Sequence, residues 1–178
     1  MRLVLIFLIL FNFLSIDLLA CKCGGPFSVE KEFDKTKTVF KGTVIKIEIV
    51  KLEETINPDS LKLLHELADE RTESFLDGLM ILKSTFLVRE YYKGELQNDT
   101  ITIYTAKQSA SCGYKFELDK SYIVYANDYS NMYLSINIEY DRINGFKKLN
   151  TYWTNHCTRT TDLIDKEQNL LNKYLNRK

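Results

Sequence analysis

The sequence predicts a mainly β fold: five to six strands in a Greek-key barrel, one helix inserted between the first two strands, and one helix packed at the C-terminal end. Three observations carry that reading. Apolar and polar residues alternate with period two in several short segments. The chain holds 11 Tyr and 10 Phe against 2 Pro, a composition suited to pleated surfaces. Strand and helix units also do not alternate along the chain, which argues against a doubly wound α/β sheet.

The first twenty residues read as an export signal. Arg2 supplies a positive start, "LVLIFLILFNFL" an apolar core, and Ala20 a small residue suited to cleavage, so residues 1–20 are read as a signal peptide and 21–178 as a single domain. Export carries Cys21, Cys23, Cys112 and Cys157 into an oxidising compartment, where an even number of cysteines points to disulfides; four cysteines allow three pairings. "LLAC" at 18–21 also matches the lipobox that directs a lipid onto a bacterial cysteine. Lipidation of Cys21 would leave an odd thiol, so parity favours ordinary secretion, with a membrane-anchored lipoprotein as the alternative.

In "TVFKGTVIKIEIVKLEE", Thr43, Ile45, Ile47 and Ile49 fall on one side of a first strand and Val44, Lys46 and Glu48 on the other; Gly42 marks a bulge or tight bend. Asn57 and Pro58 then break the strand. A helix inserted over 59–76 follows, with Asp59 or Ser60 as cap and Leu61, Leu64, Leu67 and Phe75 as its stripe. The second strand, "ILKSTFLVREYYKG", sets Leu82, Phe86 and Val88 against Lys83, Thr85 and Arg89 and stops at Gly94. "TITIYTAK" is the third strand and "KSYIVYAND" the fourth, with Cys112 and Gly113 in the connection between them.

"MYLSINIEY" reads as a fifth strand. Asn144-Gly145 favours a tight hairpin turn, so "FKKLNTYWTN" returns as another strand. At the C-terminal end Thr161 can cap a helix. Its first turn carries Asp162 and Asp165, its stripe Leu163, Ile164, Leu170, Leu171, Tyr174 and Leu175, and its last turn Lys173 and Arg177. An oligonucleotide/oligosaccharide-binding type barrel is the economical topology for this order of elements.

Composition and spacing also exclude functions. Formal charge is zero, with 24 basic and 24 acidic residues, so nothing recommends a nucleic acid as partner; a membrane enters only through a lipid on Cys21. His65 and His156 are far apart and form no metal spacing; each reads as a surface or packing residue. No paired carboxylates or nucleophile-base arrangement names an enzyme, and no cofactor is expected. Oxidation removes Cys21 and Cys23 as thiolate ligands. "NDT" at Asn98 matches a glycosylation acceptor.

Taken in order, "CKC" at the mature start, "FKG", "YYKG", "IYTAKQSASCGY" and a late "CTRT" before a helix resemble the inhibitory domain of the tissue inhibitors of metalloproteinases, within the netrin-like family. The likeness spans most of residues 21–178 and is closest to the compact bacterial versions. It implies that Cys21 pairs with Cys112 and Cys23 with Cys157. These loops of roughly 90 and 130 residues are each worth roughly 4 to 5 kcal/mol in the chain-entropy model. It also implies a mechanism: the free α-amine and carbonyl oxygen of Cys21 would chelate the zinc of a target metalloprotease, and Lys22 would enter the protease pocket beyond the scissile bond. Family inhibitors generally carry a small or hydroxylated residue there, so Lys22 points to a target unlike the animal matrix proteases. A non-inhibitory binding module of the cell envelope is the other reading of the same domain.

Overall fold

A computed structural model describes residues 23–24, 27–95, 98–107, 112–130, 132, 147–148 and 150–177. Five strands form one mixed sheet in the order β4-β1-β2-β3-β5: β1 Thr38–Lys51, β2 Met80–Lys93, β3 Thr100–Ala106, β4 Ser121–Ala126 and β5 Tyr152–Trp153. Neighbours pair antiparallel except β3 and β5, which run parallel. The sheet curls into a half-barrel. Asn127, one residue past β4, exchanges two backbone hydrogen bonds with Trp153 of β5, at 2.9 and 2.7 Å, so the outermost strands meet at one end.

β1 changes register against β2 three times, between Val39 and Phe40, between Lys41 and Gly42 and between Val44 and Lys46, and these bulges supply the curvature. Gly42 sits at the second, as the sequence predicts. A Cβ there would lie 3.0 Å from the Leu87 carbonyl oxygen and 3.1 Å from the Phe40 ring, so the bend depends on the missing side chain. Ile45, at the third bulge, and Ile49, beyond it, are exposed, at 46% and 53%.

The core has three parts. Inside the curl, Phe40, Val44, Phe86, Ile103, Phe116 and Tyr122 pack together, with Phe86 edge-on to Phe40 and Phe116 at centroid distances of 5.5 and 4.9 Å. This is the geometry that ring quadrupoles favour. The opposite faces of β1 and β4 bury Val39, Ile123 and Tyr125 beneath two helices, α1 (Val29–Lys35) and α4 (Ile164–Leu175). Both faces of β4 are thus covered, which is why Tyr122 to Ala126 are all buried. The third part joins Leu52, Ile56, Leu64, Leu76, Ile81, Tyr104 and Trp153 under the inserted helices.

Four sequence expectations need correction. The single helix expected over 59–76 is two, α2 (Pro58–Leu67) and α3 (Glu70–Gly78). Ala68 is extended and the Asp69 carboxylate accepts from Thr72 N at 2.8 Å, so Asp69 re-caps the chain. The cap of α2 is Asn57, accepting from Asp59 N at 2.9 Å, instead of Asp59 or Ser60. Among the described residues the return strand expected over 146–155 is limited to Tyr152–Trp153, because Asn150 takes a φ of 60° outside the strand region. Finally, Thr161 does not cap α4. Its backbone bridges Ile123 and its hydroxyl accepts from Leu163 N at 3.1 Å, while Leu163 stands at the cap position, 61% exposed and off the stripe.

Sequence reasoning missed α1. It has seven residues, too few for periodicity to register; its signals are the Ser28 cap, Glu30 and Glu32 in the first turn and Lys35 in the last. The predicted fifth strand beyond Met132 and the Asn144-Gly145 turn lie outside the described residues. Among the described residues no helix is long and apolar enough to cross a membrane.

Candidate functional site

Cys23 and Phe27, near the N-terminus, are each attached to the end of the half-barrel. Cys23 forms a disulfide with Cys157, with Cα atoms 5.2 Å apart. Four residues on, the Phe27 carbonyl oxygen accepts from Arg159 Nη1 at 2.6 Å. Both anchors come from one short stretch, 157–159, between β5 and α4.

Hydroxyls shape that stretch. Thr154 Oγ1 donates to the Tyr125 carbonyl at 2.9 Å and lies 2.9 and 2.8 Å from the Thr158 and Thr160 hydroxyls. Thr160 Oγ1 accepts from Tyr125 N at 3.0 Å, and Asn155 Oδ1 accepts from Cys157 N at 2.8 Å. The threonines of "TNHCTRT" thus replace the sheet ladder that β4 loses at its end.

Arg159 is held from the other side. Its Nε donates to Glu167 Oε1 at 2.8 Å and its Nη2 to Glu167 Oε2, a bidentate fork, and Tyr125 Oη donates to the same Oε1 at 2.7 Å. Glu167 is 5% exposed. Hydrogen bonding to Glu167 raises the Arg159 pKa, while burial, with Glu167 second, pushes the Tyr125 phenol well above its ordinary range. The guanidinium stays charged and the phenol neutral, each in the donor form the carboxylate needs.

Cys112 lies against this assembly. Its carbonyl accepts from His156 N at 2.9 Å, and its φ of 59° is one that a non-glycine residue holds only when its surroundings dictate it. Cys112 is itself disulfide-bonded. His156 packs its ring 5.3 Å from that of Tyr114. Cys21 and Lys22, on which the chelation expectation rests, also lie outside the described residues. His65 sits elsewhere, on α2, where Glu53 of the turn after β1 and Glu73 of α3 flank its Nε2 and Nδ1 at 3.4 and 3.0 Å.

The structure therefore brings Cys23, Cys157 and Cys112 to one end of the sheet. It adds Arg159, Glu167 and Phe27, which sequence reasoning did not single out. Arg159 stood inside the quoted "CTRT", but nothing in its spacing from Phe27 announces a contact. Among the described residues no three His, Cys, Asp or Glu side chains converge to hold a metal ion. A scan against family models found no match for the chain, and neither did a search of curated proteins.

Proposed function

We propose that the chain is a secreted netrin-like domain, its half-barrel being of the oligonucleotide/oligosaccharide-binding type, that inhibits zinc metalloproteases with its own N-terminus. The supporting observation is the double anchorage of the N-terminal segment by the Cys23–Cys157 bridge and the Arg159–Phe27 hydrogen bond. A mature chain starting at Cys21 then begins two residues before a fixed point, so little chain freedom is lost when its terminus enters a protease cleft.

The chemistry follows from the terminus. An α-amine has a pKa near 8 and gives up its proton readily to a metal. Amine and carbonyl oxygen of one residue can occupy the position that a catalytic zinc reserves for water, so no hydroxide forms there. Lys22 follows, and its ammonium requires an acidic partner in the target.

The test uses the mature chain beginning at Cys21, assayed against a panel of zinc endopeptidases beside a chain with one alanine ahead of Cys21. Inhibition by the first and its loss in the second is the expected result. Inhibition that survives the extension, or none by either chain, overturns the reading. Mass measurement of the secreted N-terminus completes the test, because an acyl chain there would select the anchored lipoprotein instead.

A further inference from the structure

Behind the anchored segment lies a cavity of about 720 Å³, within the range of small-ligand sites. Phe27, Tyr129 and Trp153 contribute aromatic surface, the Cys23–Cys157 bridge borders it, and Glu32 of α1 lines it. Glu32 is 1% exposed, yet its Oε2 is buried with no hydrogen-bond partner. An unsatisfied buried carboxylate oxygen is costly and uncommon in native folds, so its retention asks for a donor that arrives from outside.

Among the described residues, none of the chain's own cations hydrogen-bonds to Glu32 Oε2. Lys35, on the wall of the same cavity, places its ammonium over the Phe27 ring at 5.0 Å, Arg159 is forked on Glu167 and bonded to Phe27 O, and Lys147 pairs with Asp128 at 2.8 Å. Asp128, the other carboxylate on the cavity wall, has Lys147 as its ion-pair partner, which leaves Glu32 as the wall carboxylate without one among the described residues. Among the described residues no three metal-ligating groups converge here. A single open oxygen suits a compact ammonium better than the planar fork of a guanidinium, and aromatic walls suit an apolar stem and a cation together.

We propose that this cavity binds a primary ammonium group on an aliphatic stem, with Glu32 Oε2 accepting from the ammonium and Trp153 and Phe27 flanking the stem. Two sources share that chemistry, a free alkylamine and a lysine side chain. The site holds whether or not Cys21 acts on zinc, since none of its groups belongs to the terminal residue.

Trp153 is the chain's only tryptophan, so its fluorescence reports on the cavity. The experiment titrates the mature chain with n-butylamine, n-butanol and an Nα-acetyl-lysine N-methylamide, following fluorescence and, in parallel, heat. Saturable binding of n-butylamine, with n-butanol and the Glu32→Gln chain each weaker by about tenfold or more, is the expected result. Binding of the lysine derivative as tight as that of n-butylamine supports a side-chain source; much weaker binding supports a free amine. The proposal is overturned if neither signal shows saturable binding, if n-butanol binds as well as n-butylamine, or if Glu32→Gln leaves amine affinity unchanged. The butanol comparison keeps the test decisive should that variant fail to fold.

Discussion

Arg159 donates to the Phe27 carbonyl across 132 positions of sequence, and this contact joins the N-terminal segment to the end of the half-barrel. The same guanidinium neutralises Glu167, so one side chain serves the anchor and the buried network at once.

Arg159→Met should therefore do more than loosen the segment. Glu167, with a side chain only 6% exposed, would be left as a buried charge with Tyr125 as its remaining donor. Breaking such a pair from one side costs about 3–5 kcal/mol. Urea denaturation should show that loss, and limited proteolysis should show faster cleavage near Phe27. An Arg159→Met, Glu167→Met double variant should recover much of the stability but not the protease resistance.

Cys157→Ser removes the bridge to Cys23, whose partners are 134 residues apart. Chain entropy puts the loss at about 4–5 kcal/mol as a ceiling. The midpoint of chemical denaturation should fall accordingly under oxidising conditions, and the gap to the parent should narrow once reductant opens the parent's bridges.

Gly94 ends β2 at a φ of 105°, and a Cβ there would stand 2.5 Å from Tyr91 Oη and 3.1 Å from the Lys37 carbonyl oxygen. Gly94→Ala meets both a disfavoured backbone and a collision, so it should destabilise by more than ~1 kcal/mol. Thermal melting checks this. The Thr38–Tyr91 hydroxyl contact, 3.1 Å in the parent, should be lost with it.

Burial first, and then neighbouring acidic groups, push the phenols of Tyr104 and Tyr114 up to about 12 from an ordinary 10.0. The unfolded chain ionises these groups at lower pH than the folded one. Their contribution to stability is whole below pH 10.0 and is lost as pH rises through that value towards 12. Alkaline unfolding monitored by circular dichroism should begin in that window, and Tyr104→Phe should postpone it.

Burial likewise raises the Glu32 carboxyl above 4.5, partly offset by Lys35 and Arg159. A raised carboxyl gives its full support below pH 4.5 and withdraws it as pH climbs through the folded-state value, so at neutral pH the parent carries a penalty. Glu32→Gln should melt higher than the parent at pH 7 without ligand, and the advantage should vanish near pH 4. A lower melting temperature at pH 7 would contradict the unsatisfied carboxylate.

Local patterning announced the elements whose signals are local. Alternation located β1, β2, β3 and β4, Gly42 announced a bulge, and a stripe of apolar residues located the C-terminal helix, because each is written in neighbouring residues. Shorter elements escaped: α1 spans two turns, and β5 is two residues held by partners far along the chain.

Tertiary structure decided what depends on distant partners. No local rule says that Ile45 and Ile49 are left outside while Ile123 is buried under α4. Nor does the order of residues reveal that Arg159 reaches Phe27, or that Glu32 ends beside a cavity with no donor. Sequence alone determined the β character and the supply of cysteines, since backbone preference and composition are properties of the chain. The site was settled by packing, because a hydrogen bond or an orphaned carboxylate exists only once remote segments share a volume from which water is excluded.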